Sequence, residues 1–348
     1  IQRNYMNRHI AYNNFLSWRA KHLSDRSFVL ILSIIIGLFA GIAAAILKVT
    51  VITIGDKLFS FYSDSDTILP LIGFPIIGIL LTIIFLKYIV KDNVGHGVPR
   101  ILYVISKLDG SMRNHKIFSS LIGGSLTAGF GGSVGLESPI ISTGATIGSA
   151  IGQLLRLSYK HKTLLIGCGA AGAMASIFTT PIAAVIFAFE VLLLDLSAAS
   201  LIPLLMASVT GAVTTKLLTS EQYLVHFKVS EEFIIQDIPY FIILGIIAGF
   251  VAVYFHYMHF KIIQLFTKIK SIWAKALIGG SLLGVLLYFL PPLYSEGYDS
   301  IRLIVSGKAN ELLDYTFVDG SNAMLTLIIF VVLLIIFKVV ATTLTTEA

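Results

Sequence analysis

Long apolar runs, each with at most one charged residue, recur along almost the whole of this chain, and they limit what it can fold into. The runs are Phe28–Ile54, Ile68–Val90, Ile117–Phe130, Pro139–Leu155, Leu164–Leu194, Leu201–Leu217, Ile238–Phe266, Ile272–Leu290 and Met324–Leu344. Charged residues make up 13% of the chain, against roughly 25% in a water-soluble domain. A helix crosses the hydrocarbon layer with about 20 apolar residues. Within that layer only structures that satisfy their own backbone hydrogen bonds persist, which selects helices for segments of this length. The chain therefore reads as an all-α integral membrane protein. Several runs are shorter than a full crossing, and others are interrupted by Gly or Pro. Broken apolar helices at membrane depth mark a transport site.

Charge supplies topology. The formal net charge is +6, but the basic residues flank the spans and form no surface for reading nucleic acid. Residues 1–26 carry Arg3, Arg8, Arg19, Lys21 and Arg26 among aromatic residues and read as an amphipathic cytoplasmic segment. The first span is expected to end before a loop holding Asp56, Asp64 and Asp66, placed outside. The loop with Lys91, Arg100, Lys107, Arg113 and Lys116 is placed inside. The connector 219–237, with Glu221, Glu231, Glu232 and Asp237, is placed outside, and Lys261, Lys268, Lys270 and Lys275 inside. The single cysteine, Cys168, excludes an intrachain disulfide and reads as packing.

An internal repeat is legible. Ile36-Gly37-Leu-Phe-Ala40-Gly41 matches Leu244-Gly245-Ile-Ile-Ala248-Gly249, and Leu71-Ile72-Gly73 through Gly78 matches Leu277-Ile278-Gly279 through Gly284. The flanking charges run from basic to acidic in the first copy and from acidic to basic in the second. The positive-inside rule then orients the copies oppositely. The expected organisation is a first membrane repeat at 27–218, an outer connector at 219–237 and a second, incomplete repeat at 238–348.

Gly129-Phe-Gly-Gly-Ser-Val-Gly-Leu-Glu-Ser-Pro139 lies inside this frame. Glycines permit close backbone approach and positive φ, and Pro139 is expected as the first residue of a helix. Such a start exposes unpaired N–H groups and the positive end of the helix dipole, an arrangement that binds anions. Glu137 sits there, so its carboxylate can occupy the place of a free anion. Gly95-His96-Gly97-Val98-Pro99 is a second glycine-rich stretch closed by proline. A small-residue run from Gly167 leads through Phe178-Thr-Thr-Pro181 to Glu190, with Pro181 expected to split it into two helices.

In this order and spacing the motifs resemble the CLC family of voltage-gated chloride channels and proton–chloride exchangers, over about residues 28–348. Gly95–Pro99 is similar to the family's Gly-Ser-Gly-Ile-Pro, and Gly135-Leu136-Glu137-Ser138-Pro139 to its Gly-Arg/Lys-Glu-Gly-Pro. Phe178–Pro181 is similar to its Phe-Asn-Ala-Pro, and Gly297-Tyr298 to its late glycine-tyrosine signature. The departures are His96 for a serine, Leu136 for a basic residue and Ser138 for a glycine. The family's third pore motif and central tyrosine would follow Ala348, and so would any cytosolic regulatory domain.

The resemblance implies a tilted-helix inverted repeat, an anion pathway through the bilayer and a homodimer with one pore per subunit. It implies a prokaryotic inner-membrane protein with a cytoplasmic N-terminus, no cofactor and no metal. Glu137 becomes the gate. Gly95, His96, Gly97, Val98, Pro99, Gly135, Leu136, Ser138, Pro139, Ile140 and Ile141 become the anion-binding set, with backbone N–H groups at Gly97, Val98, Ile140 and Ile141 as donors. His96 either donates to the anion or bonds a neighbouring carbonyl. Many exchangers of the family place a relay glutamate where this chain has Val191, which favours a passive chloride channel. A proton-coupled antiporter is the alternative, with Glu190 as a possible relay or a structural helix-end acid.

Gly131-Gly-Ser133-Val-Gly135 also matches the Gly-x-Ser-x-Gly pattern of serine hydrolases. No strand is expected before it, and nothing ties His96 or His161 to Ser133, so an intramembrane hydrolase is a remote reading and no enzyme is expected. His256 and His259 have helical i,i+3 spacing but no third ligand nearby.

Overall fold

The computed structural model describes residues 21–63, 69–92, 97–193, 197–219, 234–315 and 323–348. Among these the chain is built from helices: α1 (Asp25–Ser63), α2 (Leu69–Ile84, continued by a π-helical turn Phe85–Val90), α3 (Gly97–Lys107), α4 (Lys116–Gly129), α5 (Glu137–Leu154) and α6 (Tyr159–Phe178). They continue as α7 (Pro181–Val191), α8 (Ala198–Leu218), α9 (Ile238–Thr267), α10 (Ile272–Phe289), α11 (Tyr298–Val305) and α12 (Ala323–Glu347). Six helical stretches, in α1, α2, α8, α9, α10 and α12, are long and apolar enough to cross a membrane. Leucines, isoleucines and phenylalanines on these helices stand exposed, among them Phe241, Ile242, Phe250, Ile328 and Ile329. In a bilayer such faces meet lipid, which is as apolar as they are.

The chain divides into two compact units. One takes Ile1–Ala44, His96–Ile117 and Ile140–Leu218; the other takes Ala45–Gly95, Phe118–Pro139 and Thr219–Ala348.

Small residues hold the first unit together. A Cβ on Gly144 of α5 would strike the Gly169 carbonyl of α6, and a Cβ on Gly169 would strike the Gly144 carbonyl. Gly148 meets Leu165 in the same way, while Gly37 of α1 and Gly172 of α6 both abut Ala207 of α8. Without a hydrophobic drive between helices in lipid, such backbone approach is the main source of packing energy. Thr215 adds a hydrogen bond to the Gly41 carbonyl at 2.9 Å. Between α3 and α4, the Ser149 hydroxyl donates to the Gly110 carbonyl (2.6 Å) and accepts the Met112 N–H (2.9 Å). Lys162 closes this corner on Asp109 at 2.5 Å.

In the second unit α10 packs on α2, with Gly284 against the Ile72 carbonyl and Gly280 against Ile76. Leu283, Leu287, Leu290, Leu293, Leu312, Phe330 and Ala341 form its main apolar cluster.

Several boundaries correct the sequence reading. The first span does not stop before Asp56; α1 continues through Asp56 and Lys57 to Ser63. Charge ends burial in lipid but not the helix, whose backbone bonds are internal. Helix α5 begins at Glu137, two residues before Pro139. Proline is tolerated there because N–H groups of the first turn have no intrahelical acceptor. Pro99 likewise is the third residue of α3. Pro181 does begin α7, after Thr179 turns the chain at φ 55°. Helix α11 and the 3-10 turns Pro291–Leu293 and Ala309–Tyr315 fill a stretch where no element was expected. The amphipathic reading of 1–26 lies outside the described residues except for 21–26, and most of the 219–237 connector does too.

Candidate functional site

The site is built by the way α4 ends. Gly131 adopts φ 93°, a left-handed conformation that glycine accepts freely. Its N–H bonds the Ala128 carbonyl (3.0 Å) and the Gly132 N–H bonds the Thr127 carbonyl (2.8 Å), the pair of bonds that closes a helix in a Schellman motif. The Tyr294 ring lies against Gly131, where a Cβ would collide with it, and the Tyr294 hydroxyl donates to the Gly129 carbonyl at 2.8 Å. The loop then passes through Ser133, which is fully buried. Its N–H donates to the Thr345 hydroxyl (3.1 Å) and its own hydroxyl to the Leu293 carbonyl (2.6 Å). The Lys338 ammonium donates to the Ser133 oxygen and to the Ser295 carbonyl, each at 2.9 Å. One side chain of α12 thus ties the glycine loop to the segment before α11.

This loop delivers Glu137 to the start of α5. The carboxylate folds back over Gly135, into the place a Cβ there would occupy. Its Oε1 accepts the Tyr298 hydroxyl at 2.6 Å. Tyr298 opens α11, and Gly297 before it turns the chain at φ 81°. Burial first, and then the Glu137 carboxylate, push the Tyr298 phenol well above the usual tyrosine range, so it remains a donor at physiological pH. Burial pushes the Tyr294 phenol up as well. A cavity of about 400 Å³ is lined by Tyr294 and Tyr298 together with Lys48, Asp56, Glu296 and Arg302. A larger cavity of about 560 Å³, between α10 and α12, has an apolar lining in which Thr326 is the one polar residue, and it offers no charged group.

Leu136, Ile140 and Ile141 are buried, Ser138 is exposed, and Pro139 lies in the first turn of α5. Helix geometry leaves the N–H groups of the first four positions without an intrahelical acceptor; Pro139 has none, so these are Glu137, Ser138 and Ile140, while Ile141 is the fifth residue. Gly97 opens α3 at φ 28°, followed by Val98 and Pro99. Gly95 and His96 lie outside the described residues. At the end of α7, Glu190 is exposed in line with Ile182 and Ile186, and Val191 is half-buried. Cys168 is free and buried. No group of metal-ligating side chains occurs among the described residues, and His259 pairs with Thr343 at 3.3 Å. Ser133 has its hydroxyl committed to a backbone carbonyl.

Sequence reasoning missed Lys338 and the pairing of Tyr298 with Glu137. A lysine within an otherwise uncharged apolar run was the available signal for the first. The glycine-tyrosine pair was noticed, but its partner lies 161 positions away.

An all-helical membrane protein with a carboxylate held at a broken helix start belongs among transporters and channels. Residues 78–348 match the family of voltage gated chloride channels, and the chain belongs to that family, whose members are channels and transporters and not enzymes. An uncharacterized protein of Methanocaldococcus jannaschii is 25% identical over 334 residues, covering 95% of this chain and 76% of the relative. The H(+)/Cl(-) exchange transporter ClcA of Vibrio cholerae is 24% identical over 80% of this chain and 62% of its own length. The voltage-gated ClC-type chloride channel ClcB of Citrobacter koseri is 30% identical over 51% of this chain and 43% of its own. The chain thus spans less than two thirds of the latter two. Among solved structures, a CLC-type fluoride/proton antiporter superposes with a TM-score of 0.73 at 26% identity, covering 94% of this chain and 77% of that one. A slow cyanobacterial Cl-/H+ antiporter superposes with a TM-score of 0.75 at 21% identity, which shows the shared fold.

Proposed function

We propose that this protein carries chloride through a membrane along a path lined by helix starts, with Glu137 as its gate. The observation that carries the proposal is the Glu137 carboxylate folded back over Gly135 at the N-terminus of α5. An anion in hydrocarbon needs compensating charge, yet a full cation would hold it too tightly for release. Partial charges at helix N-termini are the compromise. The first turn of α3 at Gly97, Val98 and Pro99, with Gly95 and His96 before it, forms one anion site. The approach to α5 at Gly135 and Leu136, with Ser138, Pro139, Ile140 and Ile141 at the start of the helix, forms the other. As a carboxylate Glu137 competes with the anion for the second site; once protonated or displaced, it leaves the path open.

Val191 supports passive conduction, because no acid stands beside Glu190 to relay protons. Proton-coupled exchange is the second reading. It is favoured by the exchange transporter and the antiporters to which the chain is similar. The proposal takes 27–218 and 238–348 as the inverted copies, a cytoplasmic N-terminus, a prokaryotic inner membrane and a homodimer. The test is an imposed chloride gradient across liposomes holding the full-length protein, with external pH recorded. Passive conduction predicts chloride flux with no linked proton movement. Uphill proton movement that disappears in Glu137→Gln establishes exchange instead.

A further inference from the structure

We infer that Tyr298 is a positioning residue for the gate: its phenol latches Glu137 in the closed, charged state and so sets the pH at which the path opens. The inference rests on the reading of Glu137 as gate. Its geometric basis is a 2.6 Å hydrogen bond from the Tyr298 hydroxyl to Oε1 of Glu137, made across the glycine loop from a helix that the sequence alone did not disclose.

The bond has a direction. A phenol with a proton to give stabilises a carboxylate more than a carboxylic acid. Its burial, beside Glu137 and Glu296, keeps that proton in place. Gly297 gives Tyr298 its approach, because its left-handed φ turns the chain into α11 immediately before the phenol. Gly135 clears the space into which the carboxylate folds.

Other charged groups stand near the pair. Lys338 of α12 interacts with both Glu137 and Glu296. Lys48 and Asp56 of α1, and Asp299 and Arg302 of α11, line the cavity that Tyr298 shares. Tyr298 differs in holding the carboxylate directly, so removing its hydroxyl weakens the charged state and leaves those charges in place.

Chloride efflux from liposomes is measured against pH for the unmodified full-length protein, Tyr298→Phe, Glu137→Gln and the double variant. The latch predicts that Tyr298→Phe moves the half-opening pH upward by about one unit, since a carboxylate deprived of a donor takes up its proton more readily. It predicts no further change when Tyr298→Phe is added to Glu137→Gln. An unmoved midpoint in Tyr298→Phe, with pH dependence abolished by Glu137→Gln, overturns the latch and leaves the gate standing. A normal pH profile in Glu137→Gln overturns the gate, and the latch with it. Should Tyr298→Phe fail to fold, infrared difference spectra decide the matter on the unmodified protein, with Glu137→Gln as reference. A tyrosine C–O band that shifts as pH crosses the opening midpoint supports the latch, and a silent band refutes it.

Discussion

Glu137 and Lys338 have opposite charges and different duties. Glu137 is held by a hydrogen bond from a neutral phenol, with its carboxylate against Gly135. Lys338 is held by two acceptors, the Ser133 hydroxyl and the Ser295 carbonyl. A cation in an apolar helix is costly unless satisfied, and here both acceptors belong to the segments that place Glu137 and Tyr298. Hydrogen bonds from a charged donor contribute about 1.5–3 kcal/mol each. Two such bonds, offset in part by the cost of keeping an ammonium in an apolar helix, lead us to expect that Lys338→Met destabilises the fold by about 2–4 kcal/mol, read as a lower midpoint of thermal unfolding in detergent. Lys338→Arg, which keeps the donors, is expected to recover most of that loss.

Among elements, the glycines divide into those that close helices and those that let helices touch. Gly131 ends α4, and its left-handed φ is one that other residues adopt at a cost of about 1–2 kcal/mol. Gly144 and Gly169 make α5 and α6 meet at their backbones. Gly169→Leu has nowhere to put its side chain without parting the two helices. It is expected to abolish a monodisperse peak in size-exclusion chromatography, whereas Gly245→Leu, with open space around it, is expected to leave the peak intact. The same contrast shows what the sequence disclosed. Apolar runs located the membrane helices because burial in lipid depends on composition, which is local. Pro181 marked the break between α6 and α7 because its ring chemistry is local as well. Helix α11 was missed: Tyr298, Asp299 and Arg302 make it too polar to read as a span, and it is too short to show a pattern. Gly37 and Gly41 look like Gly245 and Gly249 in sequence, yet the first pair packs against α8 and the second has nothing near it. That distinction depends on neighbours far along the chain.

At the scale of the whole molecule, the starts of α3 and α5 share one local design: each is glycine-rich and has proline as its third residue. Membership of the voltage gated chloride channel family fixes the class. The proposed function is narrower: chloride as the ion carried, and one carboxylate as its gate. Chloride efflux from liposomes holding the full-length protein, followed across pH beside the same protein carrying Glu137→Gln, tests it most directly. The account predicts flux that grows as pH falls in the unmodified protein, and flux that is open and insensitive to pH in Glu137→Gln. Absence of chloride flux in both, or the same pH profile in both, would contradict it.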